Sequence, residues 1–256
     1  MTDFASCFDT EHHTMTLSED GSYTAYSQEY KEHYHSTKDG ALYESLVKHV
    51  IPAFTMKKNQ DEINILDICY GLGFNTLATL YYCKKNNFTS KLNIYAPELD
   101  ALLVGSLKNF TYPKEFEIFK DIIAALSEKG MYEDALWHVE IFLGDAREFV
   151  KTFAPAKFDI VYQDAFSPSA NPLLWTREYF KDIREIIKED GILTTYSIAL
   201  ATRIALFENG FHIYINHGEG YRDATIASPS KLNGFLDVNM SHKMFCNPLA
   251  KALRDS

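Results

Sequence analysis

Cysteine and long apolar runs are both scarce in this chain. Its 256 residues include four cysteines, at positions 7, 69, 83 and 246, and none of them lies in a CxxC pair. That scatter argues against a disulfide framework and a cysteine zinc site, and it favours a reducing compartment. No stretch approaches the roughly 20 apolar residues of a membrane span, and the N-terminal run MTDFASCFDTEHH lacks the basic and apolar parts of a signal peptide. We therefore predict a cytoplasmic protein with no membrane partner.

Positive charge is also in short supply. The chain has 25 Lys and Arg against 35 Asp and Glu, which gives a formal net charge of -10. Such a chain repels nucleic acid overall, although a local basic patch can still bind a phosphate backbone. We predict no DNA partner, and an RNA partner would need a local basic strip. The candidates for that strip are Lys84, Lys85, Lys91, Arg203 and Arg222.

Apolar runs alternate with helical segments through most of the chain, without internal repeats. The predicted strands are INILDIC, KLNIYAPE, HVEIFLGD, FDIVYQD, GILTTYS and FHIYIN, with DATIAS (223–228) as a candidate last strand. Apolar strands separated by amphipathic helices imply a parallel sheet covered on both faces. The predicted fold class is therefore α/β, a Rossmann-like doubly wound domain over residues 40–228. It includes a helical insertion at 112–136 and a helix over about 172–188, and a tail follows at 229–256.

The N-terminal region has a different pattern. Stretches rich in threonine and tyrosine flank Asp20 and Gly21, which is typical of a β-hairpin with an Asp-Gly turn. We predict that residues 1–39 form a β appendage, in which the terminus around His12 and His13 carries no functional signal. A helix then begins near Gly40, and Pro52 is expected to end it.

Ligands of doubly wound sheets bind outside the carboxyl ends of the strands, so those ends are the places to search for chemistry. After INILDIC, Gly71 and Gly73 let the backbone pass close to a ligand. A dinucleotide fingerprint would need a third glycine at the position of Thr76, and Asp67 stands before the turn. This pattern favours S-adenosylmethionine (SAM) over NAD. A tight turn that binds nothing is the alternative.

The next two strand ends carry carboxylates. Glu98 can accept both ribose hydroxyls of a nucleoside, or it is a solvated carboxylate at a helix start. Asp145 can cap the helix that follows it, accept an adenine amino group, or do both. Together with the glycine turn, these ends match the needs of an adenosine-bearing ligand. The predicted cofactor-binding residues are Gly71, Gly73, Asn75, Glu98, Asp145 and Ala146.

The fourth strand end is DAFSPSANPLLW, residues 164–175, where Asp164 closes an apolar strand and two prolines stop the ladder. This stretch resembles the D-G/A-F-x-P-x-x-N-P-x-x-W signature of one methyltransferase family. That family is the methyltransferase half of the bacterial bifunctional tRNA 5-methylaminomethyl-2-thiouridine biosynthesis protein, with its stand-alone relatives. The runs DGSYTAYSQEYKEHYHSTKDGALYES, CYGLGFN and GILTTYSIALATRIALFENGF are similar to the family too, so the resemblance covers residues 20 to about 228.

The resemblance implies transfer of a methyl group from SAM to the aminomethyl nitrogen at carbon 5 of wobble uridine 34, in the anticodon stem-loop of tRNA. Asp164 would orient the amine and stabilise its developing positive charge. An unperturbed aspartate has a pKa of about 3.9, several units below an alkylamine, so it is a weak base. We expect neither FAD nor a metal, because the chain ends without the family's oxidase domain and because His33 and His35 have no third ligand.

The same resemblance supplies candidates for substrate binding. Phe166 and Trp175 would flank a flipped-out base, since aromatic stacking holds single nucleotides for chemistry. Trp175 alternatively packs the loop against the core, and Arg203 meets either a phosphate or a surface acid. One departure from the family is GEGYRDATI, where Asp223 and Ala224 replace an Arg-Glu pair. The predicted substrate-binding residues are His35, Phe166, Asn171, Trp175 and Arg203.

Two other functions stay open at this point. YESLVKHVIP resembles a segment of spermidine synthase-like aminopropyltransferases, but the stretch after Asp164 lacks the D-x-x-D-P pattern that holds a diamine. A non-catalytic nucleoside-fold binding protein is the third possibility, and the intact strand-end residues argue against it.

Overall fold

The computed structural model, which describes residues 7–57 and 60–255, contains two sheets in that part of the chain. The smaller sheet has three antiparallel strands, β1 (His13–Leu17), β2 (Tyr23–Ser27) and β3 (Glu32–His33). β1 and β2 are joined by a tight turn in which Gly21 has a φ of 82° and Asp20 Oδ1 accepts the backbone N–H of Ser22 at 2.9 Å. The predicted N-terminal hairpin is confirmed.

The larger sheet is mixed and has the order β12-β10-β11-β9-β8-β4-β5-β7-β6. Its strands are β4 (Glu62–Ile68), β5 (Lys91–Glu98), β6 (Met131–Glu133), β7 (Trp137–Leu143), β8 (Phe158–Gln163), β9 (Ile187–Thr195), β10 (His212–Asn216), β11 (Ala224–Ser228) and β12 (Leu236–Asp237). The neighbours β7, β5, β4, β8 and β9 run parallel, and every residue of β8 is buried. The predicted Rossmann-like α/β fold is confirmed.

Helices cover both faces of this sheet. They are α1 (Ala41–Ser45), α2 (Ile51–Lys57), α3 (Phe74–Lys85), α4 (Ala101–Ser106), α5 (Lys120–Lys129), α6 (Ala146–Val150), α7 (Arg177–Ile186), α8 (Leu200–Glu208) and α9 (Met240–Cys246). Side chains of β4 alternate between two apolar clusters, with Ile63 and Ile65 in one and Leu66 and Ile68 in the other. Because successive residues of a strand point to opposite faces, this division requires a core on each side of the sheet. No helix in the described ranges combines the length and apolarity needed to cross a bilayer.

Pro52 does not end the first helix, contrary to the prediction. Residues Leu46–Val50 form a π-helical turn between α1 and α2, in which Ile51 N–H donates to Leu46 O. A proline ring normally clashes with the carbonyl four residues before it. The wider turn bonds five residues back instead, which lets α2 continue through Pro52. Lys48 and His49 lie in this turn, and both are buried.

The last strands also differ from the prediction. β11 pairs antiparallel with β9 and with β10, whereas the alternating pattern indicated parallel strands throughout. A loop without a crossover helix joins β10 to β11, and only antiparallel neighbours can be joined so directly.

The helix predicted over 172–188 is shorter and divided. A 3₁₀ turn at Pro172–Trp175 precedes α7, and Thr176 Oγ1 accepts the N–H of Tyr179 at 3.2 Å as the N-cap of α7. The insertion at 112–136 contains a 3₁₀ turn at Lys114–Phe119 and α5, and it also adds the edge strand β6. The tail from 229 contributes β12 and α9.

Candidate functional site

A cavity of about 1320 Å³ lies at the carboxyl ends of the five parallel strands. The N-terminal sheet forms its opposite wall. Sites for one small ligand usually measure about 300 to 1,000 Å³, so this cavity has room for two ligands side by side. The predicted site residues that line it are His35, Gly71, Glu98, Asp145, Ala146, Asp164, Phe166 and Asn171.

Glu98 and the glycine turn form one hydrogen-bonded unit. Glu98 accepts the N–H of Gly71 at 2.8 Å on Oε2 and the N–H of Asp100 at 2.9 Å on Oε1. Burial raises the pKa of Glu98. Gly71 and Gly73 have φ of 55° and 76°, and a Cβ on Gly73 would lie 2.6 Å from Tyr70 Oη. Gly73 is thus required by the turn itself, and it lies outside the cavity lining that Gly71 joins.

Asp145 is the N-cap of α6. Its Oδ1 accepts the N–H groups of Arg147 and Glu148 at 2.7 and 3.3 Å. The side chain is exposed at the cavity, with Ala146 beside it. A carboxylate fixed by its helix, a second carboxylate at Glu98 and an open backbone at Gly71 offer acceptors and close approach, which fits the hydroxyls and amino group of an adenosine. The residues present therefore fit SAM.

Asp164 lies where β8 leaves the sheet, with one neighbour on each carboxylate oxygen. Asn75 Nδ2 donates to Oδ2 at 2.8 Å, and His49 Nε2 lies 3.4 Å from Oδ1. The Asp164 side chain keeps 12% of its surface exposed, while that of His49 keeps 1%. The carboxylate is thus held in one orientation and still reaches the cavity. Asn75, predicted to bind the cofactor, lies outside the cavity lining and supports Asp164 instead.

Asp67 is a second carboxylate behind the first. Thr76 Oγ1 donates to its Oδ2 at 2.7 Å, and Asn75 Nδ2 lies 3.5 Å from its Oδ1. Burial, together with the nearby charge of Asp164, raises the pKa of Asp67 to about 7. Thr76, which breaks the dinucleotide fingerprint, therefore holds this buried acid.

Asp67 should make the protein less stable as the pH rises. Its pKa is raised from the ordinary value of 3.8 to about 7 in the folded chain, so the stability it contributes is complete below about pH 4 and is lost as the pH rises through about 7. Between about pH 5 and about pH 8 that loss is on the order of 2–3 kcal/mol. Asp67→Asn should abolish this slope, as measured by urea unfolding at both pH values. Asp61→Asn, at an exposed carboxylate just before β4, is the matched control and should leave the slope unchanged. A stability difference between wild type and Asp67→Asn that does not vary with pH would contradict the assignment.

The loop after Asp164 corrects one predicted role. Trp175 is 0% exposed, and its Nε1–H donates to Phe166 O at 2.8 Å. A ring enclosed by the core cannot stack on a base, so Trp175 fixes the loop instead of binding substrate. Phe166 does face the cavity, and it stacks on Tyr30 with 4.6 Å between ring centroids and 19° between planes. The aromatic neighbour of Phe166 therefore comes from the N-terminal sheet.

The N-terminal sheet also holds the backbone of this loop. Glu32 accepts the N–H of Ser167 at 2.9 Å and a short hydrogen bond from its hydroxyl. The ring of Tyr34 packs over Gly71, where an added Cβ would lie 3.0 Å from Tyr34 Cδ1. The appendage thus contacts both the glycine turn and the Asp164 loop, and it closes the cavity between them.

Comparison with known proteins decides the family. A sequence profile of S-adenosyl-L-methionine-dependent methyltransferases matches residues 116–230. MnmC2 from Aquifex aeolicus, known from its crystal structure, matches with a TM-score of 0.84 and 32% identity over 95% of this chain and 79% of that one. The chain belongs to the MnmC2 family. The resemblance carried by DAFSPSANPLLW is confirmed, and the protein is a SAM-dependent methyltransferase related to MnmC.

Other proteins similar to this chain are longer than it is. An uncharacterized protein of Methanocaldococcus jannaschii is 33% identical over 208 residues, which make up 79% of this chain and 55% of that protein. The tRNA 5-methylaminomethyl-2-thiouridine biosynthesis bifunctional protein MnmC of Leptospira interrogans is 26% identical over 197 residues, 73% of this chain and 30% of that protein. The chain therefore spans about half of the first and under a third of the second. Spermidine synthase from Thermotoga maritima shares the fold alone, at 17% identity and a TM-score of 0.54 over 85% of this chain and 69% of that one.

The basic residues of this MnmC2-family protein are not where the sequence suggested. Arg203 lies outside the cavity lining, donates from Nε to Thr225 Oγ1 at 2.9 Å and interacts electrostatically with Asp223. Lys84 and Lys85 end α3, which begins at the site, and Lys91 starts β5, which ends at the site. These lysines therefore lie at the opposite ends of the strands from the cavity, and their role in RNA binding stays a prediction. Arg222 does line the cavity.

Several residues at the site were not predicted from the sequence. Tyr196 lines the cavity and donates to Ala165 O at 2.9 Å, and Lys48 lines it while bound to Glu44 at 2.5 Å. His49 lies beside Asp164, and Glu32 holds the loop that follows it. The polar pair Lys48-His49 inside an otherwise apolar helical stretch could have indicated them. The buried face of that helix has to accommodate at least one of the two side chains.

His13 was expected to carry no signal, but it starts β1 and is 2% exposed. It lies between Asp9 and Asp100, with Nδ1 3.4 Å from one carboxylate and Nε2 3.6 Å from the other. Among the described residues, these three form the group whose ligand atoms, within 4.8 Å of one another, could hold a metal ion. The cluster ties the N-terminal sheet to the end of β5, and the absence of a metal requirement stays a prediction.

Proposed function

We propose that this MnmC2-family protein methylates the aminomethyl nitrogen at carbon 5 of wobble uridine 34 in tRNA, acting in the cytoplasm on the anticodon stem-loop. The reaction would convert nm5U or nm5s2U to mnm5U or mnm5s2U. The observation that carries the proposal is Asp164, a carboxylate held by Asn75 and aimed into a cavity that also contains the adenosine-type acceptors Glu98 and Asp145. The family adds support, since MnmC of Leptospira interrogans bears the name of a tRNA 5-methylaminomethyl-2-thiouridine biosynthesis protein.

The two halves of the cavity would divide the work. Gly71, Glu98 and Asp145 would hold the nucleoside part of SAM, which when bound supplies a methyl carbon made electrophilic by a sulfonium. Asp164 would accept N–H groups of the substrate amine, which aims the nitrogen lone pair and stabilises the positive charge that nitrogen gains as the C–N bond forms. In-line displacement depends more on the orientation of the amine nitrogen than on Asp164 being a strong base.

Other residues of the cavity lining would hold the uracil base and the RNA backbone next to it. Phe166 with Tyr30 offers an aromatic surface for the uracil ring, and Asn171 and His35 line the same cavity with polar groups. Arg222, Lys31 and Lys38, which are exposed at the cavity lining, would contact the phosphate backbone of an RNA loop.

The aminopropyltransferase alternative is weaker. A diamine needs a second free carboxylate for its far ammonium. Of the other carboxylates that line the cavity, Glu32 is bound to Ser167 and Glu44 to Lys48, whereas Glu29 is exposed. The stretch 165–175 after Asp164 contains no second carboxylate, so the paired acids of a diamine site are missing from this loop.

Mass analysis of wobble nucleosides from cells that lack the protein tests the proposal. We expect 5-aminomethyl-uridine, with or without sulfur, to accumulate while its methylated product disappears. A plasmid copy of the wild-type gene should restore the product, and one carrying Asp164→Ala should not. Unchanged nucleosides together with lowered spermidine would refute the proposal in favour of the aminopropyltransferase.

A further inference from the structure

His49 lies directly beneath the proposed amine site. The π-helical turn Leu46–Val50 points it at the sheet, where Nδ1 is 2.9 Å from Thr194 Oγ1 and Nε2 is 3.4 Å from Asp164 Oδ1. Nε2 is buried, and among the described residues no hydrogen bond satisfies it. An unsatisfied buried nitrogen costs free energy, and π-helical turns are frequent at functional sites. The arrangement therefore calls for a functional explanation.

The hydrogen bonds around the imidazole indicate where a proton can go. When Nδ1–H donates to Thr194 Oγ1, the lone pair of Nε2 faces Asp164. The other oxygen of Asp164 is taken by Asn75 Nδ2, so a proton arriving on this carboxylate has His49 as its nearest acceptor. The two nitrogens of histidine are set in this way by whichever partner one of them meets.

Few other ionisable groups face His49. The ring of Tyr162 on β8 lies 5.7 Å away between centroids, and burial raises its pKa well above the ordinary value, so this phenol stays neutral. Asp67 lies behind Asn75. Lys48, the neighbour in the chain, is bound to Glu44. Asp164 is thus the one carboxylate in direct reach of His49 in the described part of the chain.

We propose that His49 takes up, through Asp164, the proton that the substrate ammonium loses before methyl transfer, an inference that rests on the proposed function. The ammonium passes a proton to the Asp164 carboxylate, and Asp164 passes it to His49 Nε2, which leaves a neutral amine and an imidazolium. The amine lone pair then forms the C–N bond as the S–C bond of SAM breaks, which gives a methylammonium product and neutral S-adenosylhomocysteine. After product leaves, the imidazolium returns its proton through Asp164 to water.

This path matters because a carboxylate alone is a poor acceptor. An alkylammonium has a pKa near 10, an unperturbed carboxylic acid about 3.9 and an unperturbed imidazolium about 6.5, so an imidazole makes the transfer roughly several hundredfold less unfavourable. Positioned acid-base groups typically contribute about 10² to 10⁴-fold in rate. Since His49 touches Asp164 and not the amine, it is a positioning residue, and its role should show in the pH dependence of the reaction.

The test compares kcat of wild type and His49→Asn on tRNA bearing 5-aminomethyl-uridine, from about pH 7 to about pH 10. Asparagine can still donate to Thr194 but has no second nitrogen toward Asp164. We expect a loss of roughly 100-fold near neutral pH that shrinks to less than about tenfold where the amine is already neutral in solution. SAM affinity by calorimetry should stay unchanged. His49→Gln repeats the comparison if the asparagine variant folds poorly.

Tyr162→Phe is the matched control, because it touches the His49 ring but lies off the proton path. Any loss it causes should be the same at every pH. A pH-independent loss in the His49 variants would overturn the inference and leave the proposed function intact. No methylation by wild type at any pH would overturn the proposed function, and the inference with it.

Discussion

Replacing Asp164 with alanine should lower kcat for methyl transfer about 10² to 10³-fold while changing SAM affinity less than about threefold. The reason is the position of the carboxylate: Asn75 holds it at the end of β8 with His49 beside it, whereas Glu98 and Asp145 follow β5 and β7 on the other side of β4. It would stabilise charge that develops on nitrogen only as the bond forms. Single-turnover rates with saturating tRNA and calorimetric titration with SAM measure the two effects separately.

Two variants sharpen that experiment. Asp164→Asn keeps the size of the side chain and removes its charge, so it should lose nearly as much turnover as alanine. Glu29→Gln removes one negative charge from an exposed position on the same cavity and should change kcat less than about threefold. This variant controls for the general electrostatic effect of losing one negative charge. Equal losses of turnover and SAM affinity in Asp164→Ala would show that its role has been misplaced.

Glu98→Ala should weaken SAM binding by on the order of 100-fold. A carboxylate that accepts two ribose hydroxyls makes two charge-assisted hydrogen bonds, each contributing about 1.5 kcal/mol or more. In the protein alone the same oxygens accept the N–H groups of Gly71 and Asp100, so the carboxylate is already fixed at the end of β5. Calorimetry with SAM and S-adenosylhomocysteine gives the affinities.

A thermodynamic cycle that combines the Glu98→Ala variant with a modified ligand separates the loss of ribose binding from damage to the glycine turn. The 2′-deoxy analogue of S-adenosylhomocysteine should bind wild type much more weakly than the parent compound does. Glu98→Ala should bind both with similar affinity, because the contact that distinguishes them is gone. If the analogue loses the same factor in both proteins, Glu98 does not contact that hydroxyl and acts only through the turn.

The sequence predicted the sheet and the residues at its carboxyl edge because those features are local. Strand runs such as FDIVYQD are mostly apolar, and the residue that ends each strand has to lie at the ligand edge wherever the helices pack. Gly71, Glu98, Asp145 and Asp164 follow from that rule, and all four line one cavity. The Asp-Gly turn predicted the N-terminal hairpin for an equally local reason.

The contacts made across the fold were not accessible in this way. The pairing of Glu32 with Ser167 joins residues 135 positions apart, and the pairing of His49 with Thr194 spans 145. Nothing in either segment alone indicates its partner. Trp175 was misassigned because a conspicuous aromatic in a signature can bind a ligand or anchor its loop, and only its burial distinguishes the two.

The N-terminal sheet completes the site by contacting both the Asp164 loop and the glycine turn. Tyr30 stacks on Phe166, Glu32 holds Ser167, and Tyr34 covers Gly71. These contacts span the sides of the cavity predicted for amine and cofactor, so the sheet fixes their separation. Strands β1 to β3 meet the core only through tertiary contacts, so the sequence of this segment alone does not indicate the role.

The most direct test is methyl transfer by the purified protein to tRNA whose wobble uridine carries a 5-aminomethyl group, with SAM as donor and nucleoside mass spectrometry as readout. We expect SAM-dependent conversion of that nucleoside to 5-methylaminomethyl-uridine, and no methylation of the same tRNA with unmodified uridine at that position. Failure to methylate the aminomethyl nucleoside, or methylation at another nucleoside, would contradict it.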